Sequence, residues 1–256
     1  MAKQIDTKTS SAVALSNTFE DDADGGLKDM GQGDLALPFL RLLTNVSPEI
    51  GEVDGALPGM LYNSVTGELY DGKKGVLVVP TAYVRQYIEW APRGSGGGAP
   101  LTVYPSTSDI LSKTHREVGD TKDYLDNGNY IENTANHYVM LIVDGIPSPA
   151  LVVMKSTQLK KSRKWNSMML SVKLPNSAGA LYTPPMYSQV YRLTTVGESN
   201  DKGKWFGWEV ERVGSVEDPN VYAAAKSFSA TINSGAVKVK HSSDAEEEAG
   251  TQGHIF

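Results

Sequence analysis

The run GVLVVPTAYVRQYIEW, residues 75–90, limits the possible folds more than any other part of the chain. From position 83 onward, one side of the run carries Tyr83, Arg85, Tyr87 and Glu89, and the other carries Val84, Gln86, Ile88 and Trp90. Alternation with a period of two predicts an extended β-strand, here with one aromatic and polar face. Because an isolated strand is not stable in water, the rest of the chain must supply partner strands.

Four further segments have strand character, and one segment among them has helical spacing. The strands are predicted at 137–144, 150–155, 186–197 and 204–213. Residues 156–172 place Trp165 and Met169 on one face and basic residues on the other, which predicts an amphipathic helix. A second helix is predicted at 218–235, with Asp218 as its N-cap. We assign three tryptophans to the core: Trp90, Trp165 and Trp208.

The resulting order is strand, strand, strand, helix, strand, strand. This is the element order of the OB-fold, a five-stranded Greek-key barrel whose helix lies between the third and fourth strands. We therefore expect a mainly β protein with one or two helices, built as an OB-like barrel with a long insertion after strand one, at 91–136. A different β-rich sandwich with one helix would contain the same elements and is the alternative.

Charge divides the chain into three parts. Residues 61–240 hold 20 Lys and Arg against 16 Asp and Glu, whereas residues 1–60 hold 4 against 10, and residues 241–256 hold none against 4. The polar segment 1–34 predicts a disordered arm, because it has too few large apolar side chains to form a core. We expect a single domain at 35–235, followed by a flexible acidic tail at 236–256.

No motif in the sequence indicates catalysis. The chain has no Cys, which excludes disulfides, thiol nucleophiles and zinc–thiolate sites. Its 4 His residues lack metal-ligand spacing, and the glycine-rich stretch 93–98 lacks the ending of a phosphate-binding loop. We expect a non-enzymatic protein without cofactor or metal. No apolar run is long enough to cross a membrane, and the absence of Cys leads us to expect a reducing, cytoplasmic setting.

Aromatic and basic side chains on the predicted strands favour binding of nucleic acid, without distinguishing DNA from RNA. Rings on a strand face stack on bases of any sequence, and neighbouring cations contact phosphates. The candidate residues for this contact are Tyr83, Arg85, Tyr87, Lys155, Lys160, Arg163, Lys164, Tyr191, Arg192, Lys204 and Trp205. Each has an ordinary alternative, because tyrosines are common on sheets and a basic helix face is often merely solvated.

The end of the chain, SDAEEEAGTQGHIF, joins a cluster of acids to a terminal apolar pair. Acids explain solubility, but they do not explain the apolar pair. An acidic segment complements a basic groove, and an apolar anchor flanked by acids suits a partner pocket with a basic rim. We therefore predict a partner-binding tail formed by Asp244, Glu246, Glu247, Glu248, Ile255 and Phe256.

This layout resembles the single-stranded-DNA-binding proteins of tailed bacteriophages, of the podophage replication type. The resemblance rests on an OB-like core without catalytic residues and on an acidic tail that ends in Phe256. It implies that the protein coats single strands during replication or recombination in the host cell cytoplasm and recruits polymerase or helicase-primase through its tail. The sequence leaves the oligomeric state open, with a homodimer as one option. Two other classes fit the composition: a structural protein of virion or assembly, and a partner-binding inhibitor that acts through its acidic ends.

Overall fold

The computed structural model describes residues 19, 21–23, 25–27, 30, 34–92, 94–95, 98–118, 120, 122–201 and 203–235. The chain divides into two units, Met1–Ala36 and Leu37–Phe256. In the first unit, two backbone hydrogen bonds form turns, from Gly25 to Asp22 and from Met30 to Leu27. The architecture below is that of the second unit.

The second unit is mainly β. Its strands are β1 (Leu40–Leu42), β2 (Leu61–Asn63), β3 (Leu69–Tyr70), β4 (Val76–Trp90), β5 (Thr102–Pro105), β6 (Asp123–Tyr124), β7 (Tyr130–Val143), β8 (Ile146–Lys155), β9 (Leu174–Pro175), β10 (Leu181–Tyr182), β11 (Gln189–Asn200) and β12 (Gly203–Ser215). The mainly β class predicted from the sequence is confirmed, but the strands exceed the five expected, because short strands form in the connections.

Among the described residues of this unit, three α-helices accompany the strands, one more than the upper number expected. They are α1 (Glu49–Glu52), α2 (Leu159–Ser171) and α3 (Pro219–Asn233). The predicted N-cap of α3 is confirmed, since the Asp218 side chain accepts a hydrogen bond of 2.7 Å from the backbone N–H of Asn220. Among the described residues, no helix is long and apolar enough to span a membrane.

Seven strands form one antiparallel sheet around two central strands. β4 and β7 pair along almost their whole length, and β8 extends the sheet beyond β7. On the other side β11 pairs with β4, and β12 pairs with β11. The five long strands thus lie in the order β8-β7-β4-β11-β12. Across the described residues no ladder joins β8 to β12, so the expected closed barrel does not form; β1 lies against both edge strands instead.

A β-bulge in the middle of β4 sets which side chains share a face. The register to β7 shifts between Pro80 and Ala82. Thr81, at the bulge, is buried and its hydroxyl donates a hydrogen bond of 3.0 Å to the carbonyl of Tyr138. The extra residue reverses the alternation, so Val78 before the bulge and Tyr83 after it contribute to the same cluster.

The two faces of this sheet are covered by different helices. One face packs against α2, and Val78, Val139 and Leu193 belong to the same buried cluster as Trp165. The opposite face packs against α3 through a second cluster. Its members include Val79, Ala82, Tyr138, Met140, Leu151, Val221, Ala225 and Phe228. We refer to these as the α2 face and the α3 face. All three tryptophans assigned to the core are buried, as predicted.

The connection between β4 and β7 is shorter than the predicted insertion. It runs over 91–129, because β7 begins at Tyr130 rather than at 137. The sequence concealed this early start, since 132–136 is largely polar. Two of these polar side chains, Thr134 and Asn136, are nevertheless buried in the sheet, and Asn136 donates a hydrogen bond of 2.9 Å to Gln86.

The small sheet β1-β2-β3 docks on β11 at a point where only glycine fits. The backbone N–H of Thr195 donates a hydrogen bond of 2.8 Å to the carbonyl of Gly72. A Cβ added at Gly72 would overlap the carbonyl oxygen of Gly59. The absence of a side chain at Gly72 therefore allows three backbone segments to meet.

Candidate functional site

The exposed side of α2 forms a row of cations. Lys160, Arg163 and Lys164 are exposed at spacings of three and four residues, so they follow one side of the helix. Trp165 and Met169 are buried on the side that faces the sheet. Burial of that apolar side fixes the rotation of the helix and thereby presents the cations to solvent. We call Lys160, Arg163 and Lys164 the α2 ridge.

Two carboxylates from β11 and β12 bind the lysines of α2. Lys161 Nζ lies 3.2 Å from Glu198 Oε1 and 3.0 Å from Glu209 Oε2. Lys164 Nζ lies 2.7 Å from Glu209 Oε1. Lys160 Nζ lies 4.0 Å from Glu198 Oε1. The helix is therefore attached to the sheet by charge as well as by apolar packing.

Trp205 joins this network from β12. Its indole Nε1 donates a hydrogen bond of 2.9 Å to Glu198 Oε2, and its side chain is half-buried. A Cβ added at Gly207 would lie 2.7 Å from the same carboxylate oxygen. Gln158, just before α2, accepts a hydrogen bond of 2.9 Å from the backbone N–H of Trp208. The glycine lets Glu198 reach across the strand to both the indole and the lysines.

The network keeps its groups charged at neutral pH. The hydrogen bond from Lys164, helped by Lys161, lowers the pKa of the Glu209 carboxyl although burial opposes this. Burial acts to raise the pKa of Glu198, but hydrogen bonds from Trp205 and Lys161 outweigh it, and the pKa is lowered. Burial acts to lower the pKa of Lys161, but its two carboxylate partners raise it overall. The four cations of α2 outnumber these two carboxylates, so the patch is positive.

The predicted aromatic platform is not an exposed surface. Tyr191 is fully buried, and its ring centroid lies 5.8 Å from that of Trp165. Tyr87 is buried in a separate cluster with residues of the β4–β7 connection. Tyr83 is half-buried, with its ring centroid 4.9 Å from that of His137. As a correction, neither Tyr87 nor Tyr191 presents its ring to solvent, because a second layer covers both parts of the α2 face.

Two of the predicted basic contacts lie on the central strands. Arg85 is exposed between the buried tyrosines of β4, and its Nε donates a hydrogen bond of 3.0 Å to Asn133 Oδ1. Its guanidinium carbon lies 5.3 Å from the centroid of the Tyr87 ring. Lys155, at the end of β8, has its Nζ 3.5 Å from Glu132 Oε1. These cations are held by partners on the sheet rather than by the Glu198–Glu209 network.

The last two predicted basic contacts lie on the outer strand pair. Arg192 is half-buried on β11, and its Nη1 donates a hydrogen bond of 3.2 Å to the carbonyl of Lys74. Lys204 is exposed on β12, directly before Trp205. Of the predicted site residues, the structure thus joins Lys160, Lys164 and Trp205 through shared carboxylates, with Lys204 as a chain neighbour.

Sequence reasoning missed Glu198 and Glu209, which connect this site. In the sequence they are ordinary acids on strands, and only the register of β11 with β12 places both beside α2. It also missed His137, which is buried beneath α2. His137 Nε2 lies 2.8 Å from Ser162 Oγ, and its ring stacks on Trp165 at 4.4 Å. Ser162 lies three residues before Trp165, on the same buried side of α2. This spacing was the sequence signal that a polar partner is buried beneath the helix.

The predicted partner-binding tail lies outside the described residues. This applies to all of its members: Asp244, Glu246, Glu247, Glu248, Ile255 and Phe256. Within the part of the chain that the structure describes, no group of three or more His, Asp or Glu residues is arranged to hold a metal ion.

Comparison with known proteins gives one family. A family model described as "Pam3 phage gp34-like protein" matches residues 7–238. This range includes α2, α3 and every strand of the sheet. No curated protein and no solved structure matches the chain.

Proposed function

The chain belongs to the Pam3 phage gp34-like family, and we propose that within this phage setting it binds single-stranded DNA along the α2 ridge. The observation that carries the proposal is the position of the ridge. Three exposed cations follow one side of α2, and a half-buried indole lies beside them on β12. Cations that track a phosphate backbone next to a ring that stacks on bases are the two requirements for binding single strands without sequence preference.

The connectivity of the long strands supports an OB-like core in this proposal. In the Greek-key order of an OB barrel, the first strand pairs with the second and the fourth, and the fifth pairs with the fourth. The ladders β4–β7, β7–β8, β4–β11 and β11–β12 follow that order. α2 lies between the third and fourth long strands in sequence, as the OB helix does. The open edge between β8 and β12 is the departure from a barrel.

The proposed interaction is stoichiometric binding, with no chemical step. Phosphates of the strand contact the ridge, Trp205 offers its exposed ring surface to a base, and Lys204 extends the positive surface along β12. Binding releases counterions from the strand, so its affinity falls as salt rises. In the same proposal, the tail that ends in Ile255 and Phe256 recruits replication proteins such as a polymerase or a helicase-primase.

The test compares two triple variants of the full chain. The first, K160A/R163A/K164A, removes the ridge. The second, K73A/K113A/K226A, removes the same charge from three exposed lysines on other elements. Fluorescence anisotropy of a labelled dT oligonucleotide of about 30 residues, longer than the ~4–16 that one OB fold covers, measures affinity across a salt series.

We expect the ridge variant to lose most of its affinity at low salt. We also expect its slope of log K against log salt to fall by about 2, since each phosphate contact on a single strand contributes about 0.7. The control variant should lose far less. Equal losses of affinity in the two variants would mean that net charge, and not the position of the ridge, determines binding. Absence of binding by the unaltered protein would favour a structural role in the virion or its assembly.

A further inference from the structure

The lysines of α2 differ sharply in how far they are open to solvent. The Lys161 side chain is 16% exposed, and its partner Glu198 is 15% exposed. The Lys164 side chain is 55% exposed, and its partner Glu209 is 40% exposed. Lys161 therefore forms an inner pair that is held in place, whereas Lys164 and Glu209 form an outer pair that water and ions reach. An outer pair of this kind is weak, typically ~0.2–1 kcal/mol.

Glu209 stands where an incoming phosphate would bind. Its Oε1 lies 2.7 Å from Lys164 Nζ, which is the distance of a charge-assisted hydrogen bond to any oxyanion. Its Oε2 accepts a hydrogen bond of 3.0 Å from Lys161, which fixes the carboxylate against the helix. The pKa of Glu209 is lowered first by the Lys164 hydrogen bond, so the carboxylate stays charged at neutral pH.

We infer that Glu209 is a built-in competitor for phosphate at the ridge, so that the site selects polyanions over single phosphates. This inference rests on the proposed function. A phosphate that takes the Lys164 N–H now directed at Glu209 must displace that carboxylate, while the inner Lys161–Glu198 pair keeps the helix and Trp205 in position. A mononucleotide offers one phosphate and gains little from that exchange. A long single strand contacts the ridge with several phosphates at once and also releases its condensed counterions.

The selection follows from charge and geometry already present in the free protein. Lys160 keeps a looser contact, with its Nζ 4.0 Å from Glu198 Oε1 and its side chain 65% exposed. Arg163 is exposed beside it. A strand can therefore engage these two cations first and displace Glu209 from Lys164 as a later step. The carboxylate makes the complete contact depend on strand length.

The experiment uses Glu209→Gln, which keeps the shape of the side chain and removes its charge. The matched control is Glu211→Gln, because Glu211 is exposed on the same strand and, two residues on, points to the same side. Both full-length variants are titrated with labelled dT oligonucleotides of increasing length and with thymidine monophosphate as competitor, over a salt series.

For Glu209→Gln we expect affinity for the oligonucleotide to rise about 1.4- to five-fold, the range for release of one exposed pair. The salt slope for a long strand should change by less than about 0.7, because Lys164 contacts a phosphate in both proteins. Thymidine monophosphate should compete better than it does with the unaltered protein. Glu211→Gln should change these quantities less.

A double-mutant cycle with Lys164→Ala separates this inference from a general charge effect. If Glu209 acts through Lys164, Glu209→Gln gains nothing once Lys164 is alanine. A gain that persists in that background overturns the inference. Binding by the unaltered protein that depends on the ridge but not on Glu209 also overturns it and leaves the proposed function in place. Absence of ridge-dependent binding in every variant overturns the proposed function itself.

Discussion

The two long helices cover opposite faces of one sheet, and their buried sides are built alike. α2 buries Trp165 and Met169, and α3 buries Val221, Ala225 and Phe228. Their outer sides differ. α2 carries four cations and is attached through carboxylates of the sheet, whereas α3 carries one cation, Lys226, among small side chains.

The comparison distinguishes the features of a helix that packing requires from those that the proposed binding requires. Either helix satisfies the need to cover an apolar sheet face, so packing does not explain why one of them concentrates charge. Four cations on 13 residues add mutual repulsion that α3 avoids, and Glu198 and Glu209 offset it only in part. The surplus charge of α2 is therefore the feature that the proposed binding of single-stranded DNA would explain.

The largest expected effect breaks the packing of α2. Trp165→Ala should lower the free energy of unfolding by about 3–5 kcal/mol, because it leaves a cavity at a residue with 0% exposure. Phe228→Ala on α3 should cost less, since Phe228 is 8% exposed. Urea unfolding of both variants measures the difference. A greater loss for Phe228→Ala would mean that α3 anchors the sheet instead.

The next effect is a pH dependence confined to the α2 face. Burial lowers the pKa of His137 to about 3, from an ordinary value of 6.5. The unfolded chain thus takes up this proton as pH falls through about 6.5, and the folded protein takes it up only near 3. Stability is full above that window and should fall within it by up to ~1.4 kcal/mol per pH unit. His137→Phe should flatten the slope measured by urea unfolding at several pH values.

On the α3 face the same pH window should have little influence. Tyr138, the neighbour of His137 on β7, lies on that face, and burial raises its pKa above the ordinary value of 10.0. It is therefore neutral throughout the window. A slope that persists in full in His137→Phe would assign the acid sensitivity to groups other than this histidine.

A smaller effect distinguishes how the helices begin. Asp218 caps α3 with its side chain, whereas Gln158 before α2 makes no such cap and bonds the β12 backbone instead. Asp218→Ala should cost about 1 kcal/mol of unfolding free energy. Glu217→Ala, at the exposed position before it, should stay within about 0.5 kcal/mol. Equal effects in thermal or urea unfolding would argue against the cap.

The smallest expected effect on stability belongs to the ridge itself. Lys164→Ala should change the unfolding free energy by less than about 1 kcal/mol, because its side chain is 55% exposed. The same variant should weaken binding of single-stranded DNA measurably. If Lys164→Ala lowered the free energy of unfolding as much as Asp218→Ala does, the cations of α2 would serve stability. The difference between the outer sides of the two helices would then not point to binding.

Periodicity predicted α2 and α3 because each helix has one buried side, and it predicted β4 from the alternation of its residues. Local spacing in the sequence was sufficient to predict β4, the two long helices, the Asp218 cap and the buried tryptophans. The early start of β7 was not, since Thr134 and Asn136 are polar yet buried. Burial of such groups depends on partners distant in sequence, as in the hydrogen bond from Asn136 to Gln86.

Only part of the candidate site could be predicted from the sequence, for the same reason. The cations of α2 are adjacent in the chain, so the sequence displays them together. Their carboxylate partners, Glu198 and Glu209, come from two other strands and depend on register. The alternation of Tyr83 and Tyr87 was correct, but alternation does not reveal which face a later segment covers. The β4–β7 connection covers Tyr87, and α2 covers Tyr191.

The bulge at Pro80–Ala82 also divides the sheet along its length. Before the bulge β11 flanks β4, and towards the other end β5 flanks β4 and β6 flanks β7, while β8 runs along β7 past the bulge to Thr134. Pro80 brings no amide hydrogen, so the β4–β7 ladder is interrupted just beyond the point where the pairing of β4 with β11 ends. Amide protons of the short-strand end should therefore exchange with solvent through openings that leave the helix-covered end intact. Amide hydrogen exchange would then show two sets of rates within β4 and β7, one for each end of these strands.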